Sequence, residues 1–170
     1  MTRLKYHLFE SPVGWIGLLG TRQGLRRLSL KPTPQEVFQE LGDALDNATP
    51  DPSALQQVLD CLHRYFRGDL QALSEVPLDL EDAPPFFAAA WEACRRIPPG
   101  ETRSYQWLAA QAGKPLAARA AGQAMARNRL ALIIPCHRVI GSNGNLHGYG
   151  AGGLTVKARL LEMEQSAFPH

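Results

Sequence analysis

The stretch TRSYQWLAAQAGKPLAARAAGQAMAR, residues 102–127, reads as two short helices joined by a tight turn. Thr102 or Ser104 supplies a side-chain oxygen able to cap the first helix. That helix continues through Trp107, Leu108 and Ala109 to Ala112, and Gly113 is its stop. Pro115 is expected to open the second helix, from Leu116 to about Arg127. Such a pair in basic surroundings is a helix-turn-helix. Its second member is built from small residues, Ala117, Ala118, Ala120, Ala121, Gly122 and Ala124. Helices that read base edges in a major groove carry long polar side chains instead. Small residues suit either a tightly packed core helix or close approach to a shallow, narrow groove. Arg119 interrupts them, as a solvated charge or as a side chain inserted between stacked bases.

Outward from this pair, charge is strongly uneven. Residues 95–159 hold ten Lys or Arg and one acid, Glu101, a net of +9; the rest of the chain holds eight basic and fifteen acidic residues, a net of −7. The whole chain is only +2. The asymmetry points to a polyanion for the C-terminal half, or to two halves that attract each other.

The N-terminal third reads as a three-stranded antiparallel meander. Residues 6–10, 15–19 and 25–30 read as strands, separated by turn residues at 11–14 and a break at 20–24. Thr33-Pro34 starts a helix. Residues 46–52 read as a loop, and 53–68 as an amphipathic helix with Leu55, Val58, Leu59, Leu62, Tyr65 and Phe66 on one face. Proline-rich residues 74–85 mark a boundary. This predicts a two-part α/β chain: an N-terminal antiparallel sheet with helices (1–80), a linker (81–85), and a mostly helical domain (86–170). Hydrophobic residues at 45% and charged residues at 20% are ordinary for a globular protein. No run is long and apolar enough to span a membrane, and the N-terminus has no signal-peptide pattern. Cys61, Cys94 and Cys136 are too few and too scattered for a disulfide framework or a four-cysteine zinc site. A reducing, cytoplasmic location is expected.

The chemical centre is LIIPCHRVI, residues 132–140. An apolar run stops at Pro135, presents Cys136 beside His137, and continues apolar. A thiol becomes nucleophilic as its thiolate, which a nearby base and cationic surroundings favour. The dipeptide alone also fits a structural, buried cysteine. In an extended chain neighbouring side chains point to opposite faces, so a turn or a bridging water is needed to couple the two residues. A glycine-rich arm follows, with Tyr149 as a stacking surface or as part of an ordinary loop, and then a last helix from Thr155 to about Gln165.

PCHRV at residues 135–139 resembles the active-site motif of the O6-alkylguanine-DNA alkyltransferases, the methylated-DNA–protein-cysteine methyltransferases. The likeness extends to IPPGETRSY (97–105), to ARAAGQAM (118–125) followed by Asn128, to Gly148-Tyr149 with Gly152-Gly153-Leu154, and to Lys157, Leu160, Leu161 and Glu164. From Phe86 to Gln165 the match runs in order; the N-terminal half agrees in general character. The resemblance implies a ribonuclease-H-like N-terminal part. It also implies direct-reversal repair, in which an alkyl group passes irreversibly and once per molecule from O6-alkylguanine, or O4-alkylthymine, to Cys136.

The same resemblance implies the site residues. Glu164, His137 and a water withdraw the thiol proton. Tyr105 helps turn the target nucleotide out, Arg119 fills its space, and Asn128 braces the cysteine turn. Ala118, Ala120, Ala121, Gly122, Gln123, Thr102, Ser104 and Arg127 face double-stranded DNA. Tyr149, Val139, Pro135, Gly150, Ala151 and Met125 line the guanine pocket. Neither cofactor nor metal is required, and a monomer is expected. Base flipping costs a few kcal/mol, which an inserted side chain partly offsets, so the small-residue helix now reads as a minor-groove element. The chain departs from the family pattern at an arm one residue longer around Gly150-Ala151, and at Pro84-Pro85-Phe86-Phe87, where more polar residues are usual. Three other readings compete. A non-catalytic damage binder would lack Cys136. A helix-turn-helix regulator predicts long polar side chains on the second helix. A cysteine hydrolase needs an oxyanion hole and an orienting partner.

Overall fold

Strands β1 (Leu4–Ser11), β2 (Gly14–Thr21) and β3 (Gly24–Lys31) form the expected antiparallel meander. The first turn is closed by Ser11, whose hydroxyl accepts from the Val13 N–H at 3.2 Å and donates to the Gly14 carbonyl at 2.7 Å. In this computed structural model residues 4–144, 149 and 153–166 are described.

The sheet has a fourth strand where a loop was expected. β4 (Ala48–Pro50) pairs parallel to β1, giving the order β3-β2-β1-β4. Three residues ending in proline carry almost no strand signal. A proline that lacks a donor is tolerated there because β4 is an edge strand.

Helix α1 (Pro34–Leu41) starts as its sequence predicts: the Thr33 side chain caps Glu36 N–H at 3.2 Å and proline occupies the first turn. It packs on β2 and β3. Gly17 makes that possible, since a Cβ there would collide with Val37. The amphipathic segment 53–68 divides into a 3-10 turn (Ser53–Leu55) and α2 (Gln56–Phe66), whose buried face is Val58, Leu59, Cys61, Leu62 and Tyr65. Beyond it, Leu25 N–H donates to Pro77 O and Asp79 N–H to Leu25 O, fastening residues 77–79 along β3.

The chain divides into two compact units between Glu81 and Asp82. In the second unit α3 (Pro85–Arg95) begins inside the expected linker, because Pro85 sits favourably at a helix start. α4 (Tyr105–Gln111) is capped by Ser104, whose side chain accepts from Trp107 N–H at 3.0 Å; Thr102 does not cap it. Gly113, at φ 93°, ends it. α5 spans Ala118–Ala126, two residues shorter at its start than expected. The Ala117 N–H instead bonds to Lys114 O, so Pro115 and Leu116 form the corner of a turn. Trp91 Nε1–H donates to Ala124 O at 2.8 Å and locks α3 to α5. Two short strands, β5 (Arg103–Ser104) and β6 (Val139–Ile140), pair in parallel. α6 (Gly153–Ser166) is the last element.

Candidate active site

The segment carrying Cys136 is bent by local hydrogen bonds. Ile133 N–H bonds back to Ala131 O across Leu132, whose φ is 71°. Cys136 N–H bonds back to Ile134 O across Pro135, at φ −80° and ψ 65°. The second is an inverse γ-turn; the first has the positive φ of the rarer, strained γ-turn. A bulky residue at such a φ costs of order 1–3 kcal/mol and persists only where its surroundings fix it. Residues 130–139 are buried throughout.

After Pro135, Cys136–Arg138 form a 3-10 turn. Asn128 fixes it from outside. Its Oδ1 accepts from Leu130 N–H at 2.9 Å, while Nδ2 donates to Ile134 O at 2.8 Å and to Cys136 Sγ at 3.1 Å. β6 then pairs with β5, Arg103 opposite Val139 and Ser104 opposite Ile140. That ladder brings the start of α4, and with it Tyr105, alongside the cysteine turn.

Behind the turn lies a buried polar cluster. His137 Nε2 meets Glu164 Oε2 at 2.9 Å, and Arg138 grips the same carboxylate through Nε (2.9 Å) and Nη2 (2.8 Å). The third contact of Arg138 is from Nη1 to Ile97 O at 2.8 Å. Lys157, 1% exposed, donates from Nζ to Val139 O at 2.8 Å. Sequence reasoning gave Arg138 and Lys157 no role. A signal existed: Lys157, Leu160 and Glu164 share one i, i+3, i+7 stripe of α6, and all three are buried.

Electrostatics assign the protonation states. Burial pushes Glu164 up, but the charge and hydrogen bonds of His137 and Arg138 override it and hold the carboxyl well below its ordinary value. Burial lowers His137, and Glu164 only partly offsets that, so the imidazole is neutral at neutral pH. A neutral ring facing an ionised carboxylate carries its proton on Nε2. Nδ1, buried and without a hydrogen-bond partner among the described residues, is then the basic atom. Burial also pushes the Cys136 thiol up, while the Asn128 amide and the Lys157 ammonium pull it down. The arrangement holds a thiol protonated at rest, with a base and a cation ready to stabilise its anion.

The other expected site residues fall into groups. Val139 and Pro135 are buried beside Cys136, and the Tyr149 ring meets His137 edge-on at 6.4 Å. Tyr105 is half-buried, and a Cβ at Gly122 would lie 3.8 Å from its ring. Arg119, Gln123 and Arg127 are exposed, with Ala118, Ala120 and Gly122 half-exposed. Ala121 does not join them; it is buried with Ala124 and Met125, because a helix that packs on α3 and α4 must turn one face inward. The Ser104 hydroxyl is occupied as a cap. Thr102 is half-exposed. Gly150 and Ala151 lie outside the described residues.

Comparison with known proteins gives full-length matches. Residues 85–166 match the family model described as the DNA-binding domain of 6-O-methylguanine DNA methyltransferase. Residues 4–80 match its ribonuclease-like domain. The chain is 42% identical over 166 residues to a methylated-DNA–protein-cysteine methyltransferase of Mycobacterium tuberculosis, covering 98% of this chain and 95% of that protein. It is 36% identical to the constitutive methylated-DNA–protein-cysteine methyltransferase of Bacillus subtilis, over 96% of each. Its fold superposes on the M. tuberculosis OGT structure solved in complex with DNA with a TM-score of 0.81, at 40% identity, covering 97% of this chain and 95% of that one.

Proposed function

Because this chain belongs to the 6-O-methylguanine DNA methyltransferase family, we propose that Cys136 is the residue to which it transfers the alkyl group of a damaged base. The activity is direct-reversal DNA repair, and the partner is DNA. The observation that carries the assignment to Cys136 is the cluster around it. Its sulfur is held by Asn128, and the next residue is a neutral histidine backed by an ionised glutamate.

The reaction follows from those states. A water between Sγ and His137 Nδ1 passes the thiol proton to the ring. The resulting imidazolium is stabilised by Glu164, which stays ionised because Arg138 neutralises it. The thiolate, favoured by the Asn128 amide and the Lys157 ammonium, attacks the alkyl carbon in line. The C–S bond forms, the C–O6 bond breaks with its electron pair passing to guanine, and one proton restores the base. The thioether has no leaving group of comparable quality, so each molecule acts once, and no step calls on a cofactor.

Reaching O6 requires the nucleotide to leave the stack. Exposed Arg119 on α5 takes the vacated space, and Tyr105, beside the small surface at Gly122, assists rotation. Ala118, Ala120 and Gly122 let α5 approach the minor groove; Gln123, Thr102 and Arg127 contact its backbone. Val139, Pro135 and Tyr149 line the pocket. A protein that needs Cys136 as a thiol suits a reducing compartment, and the cytoplasm is the location proposed.

Incubation with duplex DNA carrying one O6-methylguanine, followed by intact and peptide mass spectrometry, tests this. A single methyl on the Cys136 peptide, saturating at one per chain and absent in Cys136→Ala, is expected. A methyl on Cys94 or Cys61, or repeated turnover, would overturn the assignment.

A further inference from the structure

At the start of α3, Phe86 and Phe87 stand side by side, and each carries a cation. Lys114 Nζ lies 5.4 Å from the Phe86 ring centroid and Arg127 Cζ lies 5.9 Å from that of Phe87. Lys114 belongs to the turn before α5, and Arg127 caps its far end. The two cations therefore come from opposite ends of the helix that bears Arg119, a span of about 14 Å for nine residues.

Among the described residues, neither charge is neutralised. Both residues are exposed, and among the described residues neither side chain forms a hydrogen bond or an ion pair. The sequence holds no acid between Glu101 and Glu162 to supply one. Arg103 provides the contrast: it lies over Trp107 at 5.6 Å, but Glu101 pairs with it at 2.8 Å. An aromatic face holds a cation through its quadrupole, by about 0.5–1 kcal/mol at an exposed site, and leaves the net charge intact. Long side chains are thus ordered without losing their attraction for an anion.

We propose that Lys114 and Arg127, seated on Phe86 and Phe87, form a phosphate-contact track that grips the DNA backbone on either side of α5. The track extends the DNA-facing set, in which Arg127 already stands, by Lys114 and the two rings, and it rests on the DNA-binding reading of this unit. Its occupant is the sugar-phosphate backbone, since two unpaired cations bracketing a small-residue helix complement a regular row of anions. The rings supply order and the cations supply charge.

The test is the affinity of the full chain for a lesion-free duplex across a range of salt concentrations. Each neutralised phosphate contributes about 0.9 to the slope of log K against log salt. Lys114→Ala and Arg127→Ala are each expected to lower that slope by about this amount. Phe86→Leu is expected to weaken binding with little change of slope, and to add almost nothing in the Lys114→Ala background. Slopes equal to wild type in both alanine variants would overturn the track. A Phe86→Leu loss that adds in full to that of Lys114→Ala would overturn the role of the rings. Absence of duplex binding by the wild type would overturn the DNA reading itself, a result distinguishable from either.

Discussion

At the scale of single residues, the site rests on one carboxylate shared by two partners. Glu164 accepts from His137 and from Nε and Nη2 of Arg138, with no exposure of its own. Removing one member of a buried ion pair leaves the other uncompensated, at a cost of about 3–5 kcal/mol. Arg138→Met is therefore expected to lower stability by that order in denaturant titration. It also returns basicity to Glu164. The pH dependence has a definite sign. His137 is depressed in the fold from an ordinary 6.5, so the unfolded chain binds a proton first as pH falls; stability is expected to decline below about 6.5. Glu164 is depressed from 4.5, and its contribution is lost as pH falls below that value. Thermal midpoints measured from pH 8 to 4 check both. The transfer rate follows the same histidine, holding level below 6.5 until the ring is protonated.

The carboxylate cluster was only half legible. His137 and Glu164 could be named through resemblance, but Arg138 reads as one more basic residue in a basic segment. That it is buried and bidentate follows from α6 lying across the cysteine turn, a contact between residues 26 apart in sequence.

At the scale of elements, the helix-turn-helix was read correctly in kind and imperfectly in its limits. Ser104 and Gly113 are local signals and end α4 where they should. Pro115 is ambiguous locally, suited to the first turn of a helix or to a corner, and the Lys114–Ala117 hydrogen bond selects the corner. Ser104→Ala is expected to cost about 1 kcal/mol. Because Ser104 also pairs with Ile140 in the β5–β6 ladder, it should slow transfer more than an equal destabilisation in the N-terminal unit. Comparison with Thr33→Ala, the cap of α1, checks this. Leu132 could not be foreseen, since nothing in its identity announces a positive φ. Leu132→Ile preserves volume, a change that usually costs under about 1.5 kcal/mol. Here a β-branched residue is forced to a φ of 71°, and a larger loss is expected on denaturant unfolding.

For the whole molecule, charge decides more than net charge suggests. The chain is +2, yet residues 95–159 are +9. Arg119, Lys114 and Arg127 are exposed in that segment, while Arg138 and Lys157 are buried and serve the site. Backbone contacts carry no sequence information. Affinities for two unrelated lesion-free duplexes are therefore expected to agree within a few-fold at a given salt, and to fall together as salt rises. A preference of a hundredfold would indicate base readout through the exposed Arg119 or Gln123 of α5.

By itself the sequence determined the meander, the capped helix pair, and the thiol presented between apolar runs. Each depends on residues close together in the chain, where periodicity, caps and turn chemistry act. Tertiary structure alone decided the edge strand at 48–50, the strained turn at Leu132, and the inward face of α5 at Ala121 and Met125. It also decided which cations are buried around Cys136 and which lie on Phe86 and Phe87. Those outcomes depend on burial and on partners distant in sequence. The same arginine is a solvated charge, an ion-pair anchor or a phosphate contact according to what packs against it.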